Sequence, residues 1–540
     1  MKAPASVPRS KAAHERRLCP LGGPLKHRLR TAVPGLSVFA ILWLLTFRSF
    51  DWTSFADNSY AVWQSLGRHL LEDQPWASLQ ALHIQPPGLN LIEALDLATT
   101  PAGHGVLAAL FALGAALSVF FVVDTLSLTG VRARWAALTG VGYALLPSTV
   151  VYSLWPFSTL PAIFACSLAL WGVALARRSP AAGVVASAAG VVLLWLFRSS
   201  FPWVFVLAWL VALAVLLVRN SGTRRQVVGG LAGLMVAGGS VMAVQAHYLV
   251  SFGLWSTSSW AGENIVKALD GSGNLHVTQE AMDAAKRLGP CQASLVEAIA
   301  AGQAPYWAPD DFLALPGCDT YRVASTTGVE ALDSPYKDGA SDGQWIGNFN
   351  TSQRLADSAV FSDVAKEIVK GDPLQLVRMA ATGGESGSRG SGLSIYLAPS
   401  DDYFFVTPVR TAYPDKTLGG LLSLLFAPAA ATLTLLGLVL VLSRREKGRL
   451  RRLPLYYFTL ALMASHATVS VLFEYGENNR FQAEVAPAFA IMGALVLWSV
   501  VPTRSPRPRA RPAGPASDGS PAPFPPVERD RAHSDQAGLA

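Results

Sequence analysis

Long apolar runs, separated by short basic loops and two long polar ones, set the pattern of the chain. A spanning helix takes roughly 20 mostly apolar residues, because hydrocarbon holds no water to pair backbone groups. By that measure ten stretches predict spans: 29–47, 106–128, 135–154, 160–176, 181–197, 203–218, 227–249, 418–442, 453–473 and 485–501. In the first long loop, Tyr60, Trp63, Leu66 and Leu70 recur at helical spacing while Gln64, Arg68 and Glu72 fall elsewhere. That pattern predicts a helix lying in the membrane interface, with Asp57 as its N-cap. Pro86 and Pro87 forbid helix before them and permit it after, so the apolar run 91–97 predicts a second interfacial helix. In the second long loop, helical patterning falls at 261–269, 279–288, 293–301 and 352–369, and the glycines of 383–392 predict a loop.

Charge orients this pattern. Arg132 and Arg134, Arg177 and Arg178, Arg219, Arg224 and Arg225, and the run 444–452 fall in every second loop, on the side of the N-terminus. Positive loops mark the cytoplasmic side. The loop 251–417 has the opposite balance, 20 acidic against 12 basic side chains. The expected fold is an all-α integral membrane protein of about ten spans, with interfacial helices in the first outer loop. A mixed exoplasmic domain is inserted between spans seven and eight. The expected organisation is a basic cytoplasmic tail (1–28), an N-terminal transmembrane catalytic module (29–250, with its first exoplasmic loop at 48–105), an exoplasmic domain (251–417), C-terminal spans (418–502) and a disordered cytoplasmic tail (503–540). Abundant Ala, Gly and Arg point to a bacterial plasma membrane.

Composition removes other classes. Of 540 residues, 51% are hydrophobic and 15% charged, too apolar for a string of soluble domains. The surplus of 43 Lys and Arg over 36 Asp and Glu orients spans and is no sign of nucleic acid. Four cysteines exclude a disulfide scaffold, and the two in the outer domain, Cys291 and Cys318, are candidates for one disulfide or for two free thiols. No clustered His, Cys and Asp set has metal-ligand spacing, and neither a metal nor another cofactor is expected.

The candidate chemistry lies in the first loop. Asp57 caps a helix in one reading; in the other it is a carboxylate at the lip of the membrane, able to act as general base on an acceptor hydroxyl. Asp51 is the weaker candidate, being closer to the span. His83 falls at the mouth of the second interfacial helix, and Arg198 at the end of a span. A polar turn between the last two spans holds Glu474, Glu477 and Arg480.

In combination these features resemble the polytopic glycosyltransferases of the C superfamily, in the branch of protein O-mannosyltransferases and lipid A aminoarabinose transferases. Asp57 followed by Tyr60 is similar to the acidic motif after the first span, and His83 with Pro86 and Pro87 to the basic residue before Pro-Pro. Asn58 stands at the usual second acidic position, Ile84 and Gln85 separate His83 from the prolines, and Gly88 replaces the common Leu. Tyr152 to Thr159 resembles the short outer turn between spans three and four, and Arg198 the basic residue at the outer end of a later span. The resemblance implies a sugar on a polyprenyl phosphate as donor and a lipid, glycan or protein hydroxyl as acceptor. It implies inversion at the anomeric carbon, with Asp57 taking the acceptor proton. Arg198, Arg480 and His83 would meet the departing phosphate, with Tyr60, Asp51 and Glu474 also at the substrate. Two other classes stay open: a lipid-linked sugar transporter, which needs polar groups deep in its spans, and a membrane scaffold whose outer domain binds a partner.

Overall fold

The computed structural model describes residues 25–48, 51–60, 65–100, 104–306, 309–338, 345–382, 453–473 and 478–500. The expected span 418–442, the glycine loop 383–392, Glu474 and the tail 503–540 lie outside the described residues, as does the side chain of Arg480.

Helix α1 (Leu25–Arg48) is followed in the first long loop by α2 (Trp52–Ser59), α3 (Arg68–Asp73), α4 (Pro75–Ala81) and α5 (Gly88–Thr99). The membrane-type helices follow: α6 (Gly105–Leu128), α7 (Ala133–Ala144), the short α8 (Pro147–Val151), α9 (Thr159–Leu175), α10 (Pro180–Phe197), α11 (Trp203–Asn220) and α12 (Arg224–Phe252). Six described helices are long and apolar enough to cross a membrane: α1, α6, α10, α11, α12 and Pro454–Leu472. Thr159–Leu175 and Ala486–Trp498 are apolar but shorter.

The expected span 135–154 is not one helix. Pro147 cannot donate to the carbonyl a turn before it and its ring crowds that turn. The chain accordingly leaves the helix after Ala144 and re-enters with Pro147 at the start of α8. Elsewhere small residues let helices meet closely, the usual solution where lipid offers no hydrophobic drive for helices to associate. A Cβ on Gly183 of α10 would lie 2.2 Å from the Ala176 amide nitrogen, just past α9.

The second long loop is folded around its own core. It carries α13 (Ala261–Gly271), α14 (Gln279–Leu288), α15 (Pro290–Ala300), α16 (Pro309–Leu313), α17 (Glu330–Asp333), strands β1 (Tyr336–Asp338) and β2 (Trp345–Gly347), α18 (Ser352–Gly371) and α19 (Leu374–Thr382). Among its described residues the expected mixed domain is helical apart from one antiparallel strand pair, Lys337 pairing with Ile346. Thr278 caps α14 by accepting from the Ala281 amide, and Thr351 caps α18 by accepting from Arg354. Leu269, Leu295, Phe312, Phe361 and Ile368 build the core, and Cys291 is bonded to Cys318. Arg354, 1% exposed, ties α18 to α13 through the Glu263 carboxylate at 3.3 Å, and Lys267 shares that carboxylate. A smaller core of Tyr60, Leu66, Leu82, Ile84, Trp260 and Ala331 joins this domain to the first loop.

Helices α20 (Pro454–Phe473), α21 (Asn478–Glu484) and α22 (Ala486–Val500) are the last elements among the described residues. Their apolar faces enter the same core as α6, α9 and α10.

Candidate active site

Asp57 does not cap a helix. It lies inside α2, two residues before its C-terminal end, because the helix forms from Trp52 rather than after Asp57. A carboxylate at a helix C-terminus opposes the helix dipole, so it needs cations nearby. Two are present. Oδ1 of Asp57 accepts from His104 Nε2 at 2.9 Å and from Arg68 Nη1 at 3.0 Å. Among the described residues Oδ2 has no hydrogen-bond partner, and the side chain is 15% exposed.

Behind Asp57 the bonds run inward. His104 Nδ1 faces Asp96 Oδ2 at 2.6 Å. Asp96 Oδ1 accepts from the Leu107 amide and the Thr100 hydroxyl, both at 2.8 Å. Burial works against the Asp96 carboxylate, but the bonds from His104, Leu107 and Thr100 outweigh it and hold it below the usual carboxylate range. The Asp96 hydrogen bond, opposed by burial and reinforced by Asp57, pushes His104 up from its ordinary value. Tyr60 is buried, its ring 6.2 Å from that of His104, and its hydroxyl has no partner among the described residues. Burial, with Glu93 and Asp96 nearby, raises the phenol above its ordinary range.

Glu93, one turn before Asp96 on α5, accepts from the Ser65 hydroxyl at 2.9 Å. Burial pushes its carboxyl up to about 8. The Lys337 ammonium donates to the Ser65 carbonyl, and burial lowers it to about 7 against the pull of Glu93 and Asp338. Asp338 accepts from the His69 amide at 3.1 Å at the start of α3 and contacts the His69 ring. The β1 strand of the second loop domain thereby fixes the segment that carries Arg68.

The other expected site residues are placed separately. His83 is fully buried where the two long loops meet. Its Nε2 is 3.2 Å from the Thr351 carbonyl and its Nδ1 3.1 Å from the Ser259 hydroxyl. Nε2 donates to the carbonyl, and burial, which lowers the ring to about 4, keeps it neutral so that Nδ1 accepts from the Ser259 hydroxyl. Both nitrogens are thus occupied in a clamp between the loops. Arg198, 2% exposed, pairs with Glu484 Oε1 at 2.8 Å, donates to the Ser158 hydroxyl at 3.2 Å and stacks over Phe481. Asp51 is exposed, just ahead of α2.

Beside α5 a groove of about 370 Å³ runs between α6, α9 and α10, lined by Leu91, Ile92, Leu113, Phe164 and Phe197 among others. Gly88 forms its edge; a Cβ there would stand 2.6 Å from the Leu196 carbonyl. Among the described residues no three His, Cys, Asp or Glu side chains are arranged to hold a metal ion.

Sequence reasoning missed His104, Asp96, Arg68, Glu93 and Glu484 as site residues. Two acids three apart, Glu93 and Asp96, within a helix otherwise apolar were the available signal. His104 sits between two glycines at a span's start and carried none.

No protein-family profile matches the chain. No curated protein matches it either. Two solved structures are distantly similar, both crystal structures of ArnT from Cupriavidus metallidurans. The apo form has a TM-score of 0.28 at 14% identity, over 85% of this chain and 76% of that one. The form bound to undecaprenyl phosphate has a TM-score of 0.30 at 14% identity, over 86% and 77%.

Proposed function

We propose that the chain is a membrane glycosyltransferase that moves a sugar from a polyprenyl phosphate to an acceptor hydroxyl, with Asp57 as general base. The observation that carries this reading is the Asp57 carboxylate itself. One oxygen is held by His104 and Arg68, and the other is without a partner among the described residues at a partly exposed position. A base must be fixed yet keep one oxygen able to accept a proton. The apolar groove beside α5 supports the choice of donor, since a polyprenyl tail needs such a lining and the same helix carries Asp96 and Glu93 toward the base.

In the proposed reaction Asp57 Oδ2 takes the proton of the acceptor hydroxyl as its oxygen bonds to the anomeric carbon. The bond from that carbon to the phosphate oxygen breaks, and its electron pair leaves with the polyprenyl phosphate. Attack opposite the leaving group inverts the configuration. Arg68, in contact with Asp57 and about a third exposed, places a guanidinium beside the base. Arg198 reaches a phosphate only by exchanging Glu484 for it, and Tyr60 supplies a hydroxyl beside the base.

Purified protein in lipid, offered a panel of polyprenyl-phosphate sugars with candidate acceptors, tests this. Release of polyprenyl phosphate with an inverted product supports the reading; well-folded protein that consumes no donor contradicts it.

A further inference from the structure

Resting on the transferase reading, we propose that His104, held by Asp96, is a positioning residue that bridges two carboxylates as an imidazolium and aims Asp57 Oδ2 at the acceptor. His104 is the one non-glycine residue at positive φ among the described residues, with φ 49°. A left-handed backbone on such a residue is disfavoured and persists where its surroundings over-determine it. Here they do: the ring bonds carboxylates on both sides, the carbonyl accepts from Trp52 Nε1 at 3.3 Å, and the amide donates to Thr100 at 3.0 Å.

The charge follows from the partners. A histidine with a carboxylate at each nitrogen donates to both only when doubly protonated. It also stands at the N-cap of α6, where a cation is unfavourable, so its charge depends on Asp96 and Asp57. The groups around it are Asp57 and Trp52 of α2, Tyr60 just after it, Glu93 and Asp96 of α5, and Arg68 of α3 acting through Asp57. When the ring gives up one proton, the bond to Asp96, the stronger influence on it, retains its N–H. The Nε2 lone pair then faces Asp57 Oδ1 and the aim is lost. Wild-type turnover consequently declines on the alkaline side.

Asp96→Asn separates positioning from folding. An Asn oxygen still accepts from Leu107 and Thr100, while its amide donates to Nδ1 and leaves a neutral ring whose N–H holds Asp57 more weakly than an imidazolium does, equally at neutral and alkaline pH. The variant is expected to fold, to lose about 10²-fold in kcat with little change in KM, and to lose the alkaline decline. His104→Asn, which tolerates the left-handed backbone and the N-cap, removes the bridge and should lose as much. Nitrogen-15 spectra of labelled histidine give a readout independent of turnover, the His104 signal being assigned by its loss in His104→Asn. Two protonated nitrogens at neutral pH in wild type and one in Asp96→Asn are expected. A neutral His104 in active wild type, or an alkaline decline unchanged in Asp96→Asn, overturns the assignment alone. An imidazolium present in a protein that turns over no donor overturns the transferase reading, and the catalytic assignment with it.

Discussion

Arg198 Nε lies 2.8 Å from Glu484 Oε1, and neither side chain is more than 2% exposed. The other carboxylate oxygen of Glu484 is 3.2 Å from His466 Nε2, so one acid holds α10 and α20 together. Removing one partner of a buried pair strands the other charge, at a cost of about 3–5 kcal/mol. Glu484→Ala should lower stability by that order, whereas Arg198→Met with Glu484→Leu should recover most of it. Thermal unfolding in detergent of both single variants and the pair checks the coupling.

Gly88→Ala should destabilise by about 1–3 kcal/mol, because the added methyl meets the Leu196 backbone carbonyl as well as the Phe197 ring. The same methyl stands at the edge of the apolar groove, so binding of a polyprenyl phosphate should weaken as well. Unfolding and lipid titration measure the two effects on one variant.

Glu93 predicts a pH-dependent loss of stability. Its carboxyl is raised from the ordinary 4.5 to about 8, so its contribution is full below 4.5 and is lost as pH rises through about 8. Lys337 runs the other way, since its contribution is full above the ordinary 10.5 and is lost as pH falls through about 7. Glu93→Gln keeps an acceptor for Ser65 and cannot ionise. Its melting temperature should therefore hold on the alkaline side where wild type declines, while the acid-side decline remains. Parallel curves for the two proteins would count against a buried Glu93 held neutral in the folded state.

Replacing Cys291 and Cys318 by Ser should cost about 2–4 kcal/mol within the second loop domain, by freeing the unfolded chain across 27 residues. Limited proteolysis under oxidising and reducing conditions reads this directly.

Much of the helical frame was legible because its cues are local. Thr278 followed by an amphipathic run marks 279–288, bounds the structure reproduces, and the double proline at 86–87 marks the start of α5. Pro147 carried equally local information, but the apolar run around it masked the break. Asp57 could be singled out by residue type, whereas its surroundings could not. His104 lies 47 residues away, and Lys337 arrives from the other long loop, so their approach depends on tertiary packing that no spacing encodes. For His83 the same ignorance of the second loop hid the Ser259 and Thr351 partners that occupy both ring nitrogens.

The proposed reaction stands on Asp57 as the base of the sugar transfer. Its most direct test is single-turnover transfer from polyprenyl-phosphate sugars by wild type and Asp57→Asn, reconstituted in lipid at matched thermal stability. Asp57→Asn is expected to slow the chemical step by about 10²-fold or more, with donor binding retained. Equal rates for the two proteins would contradict it.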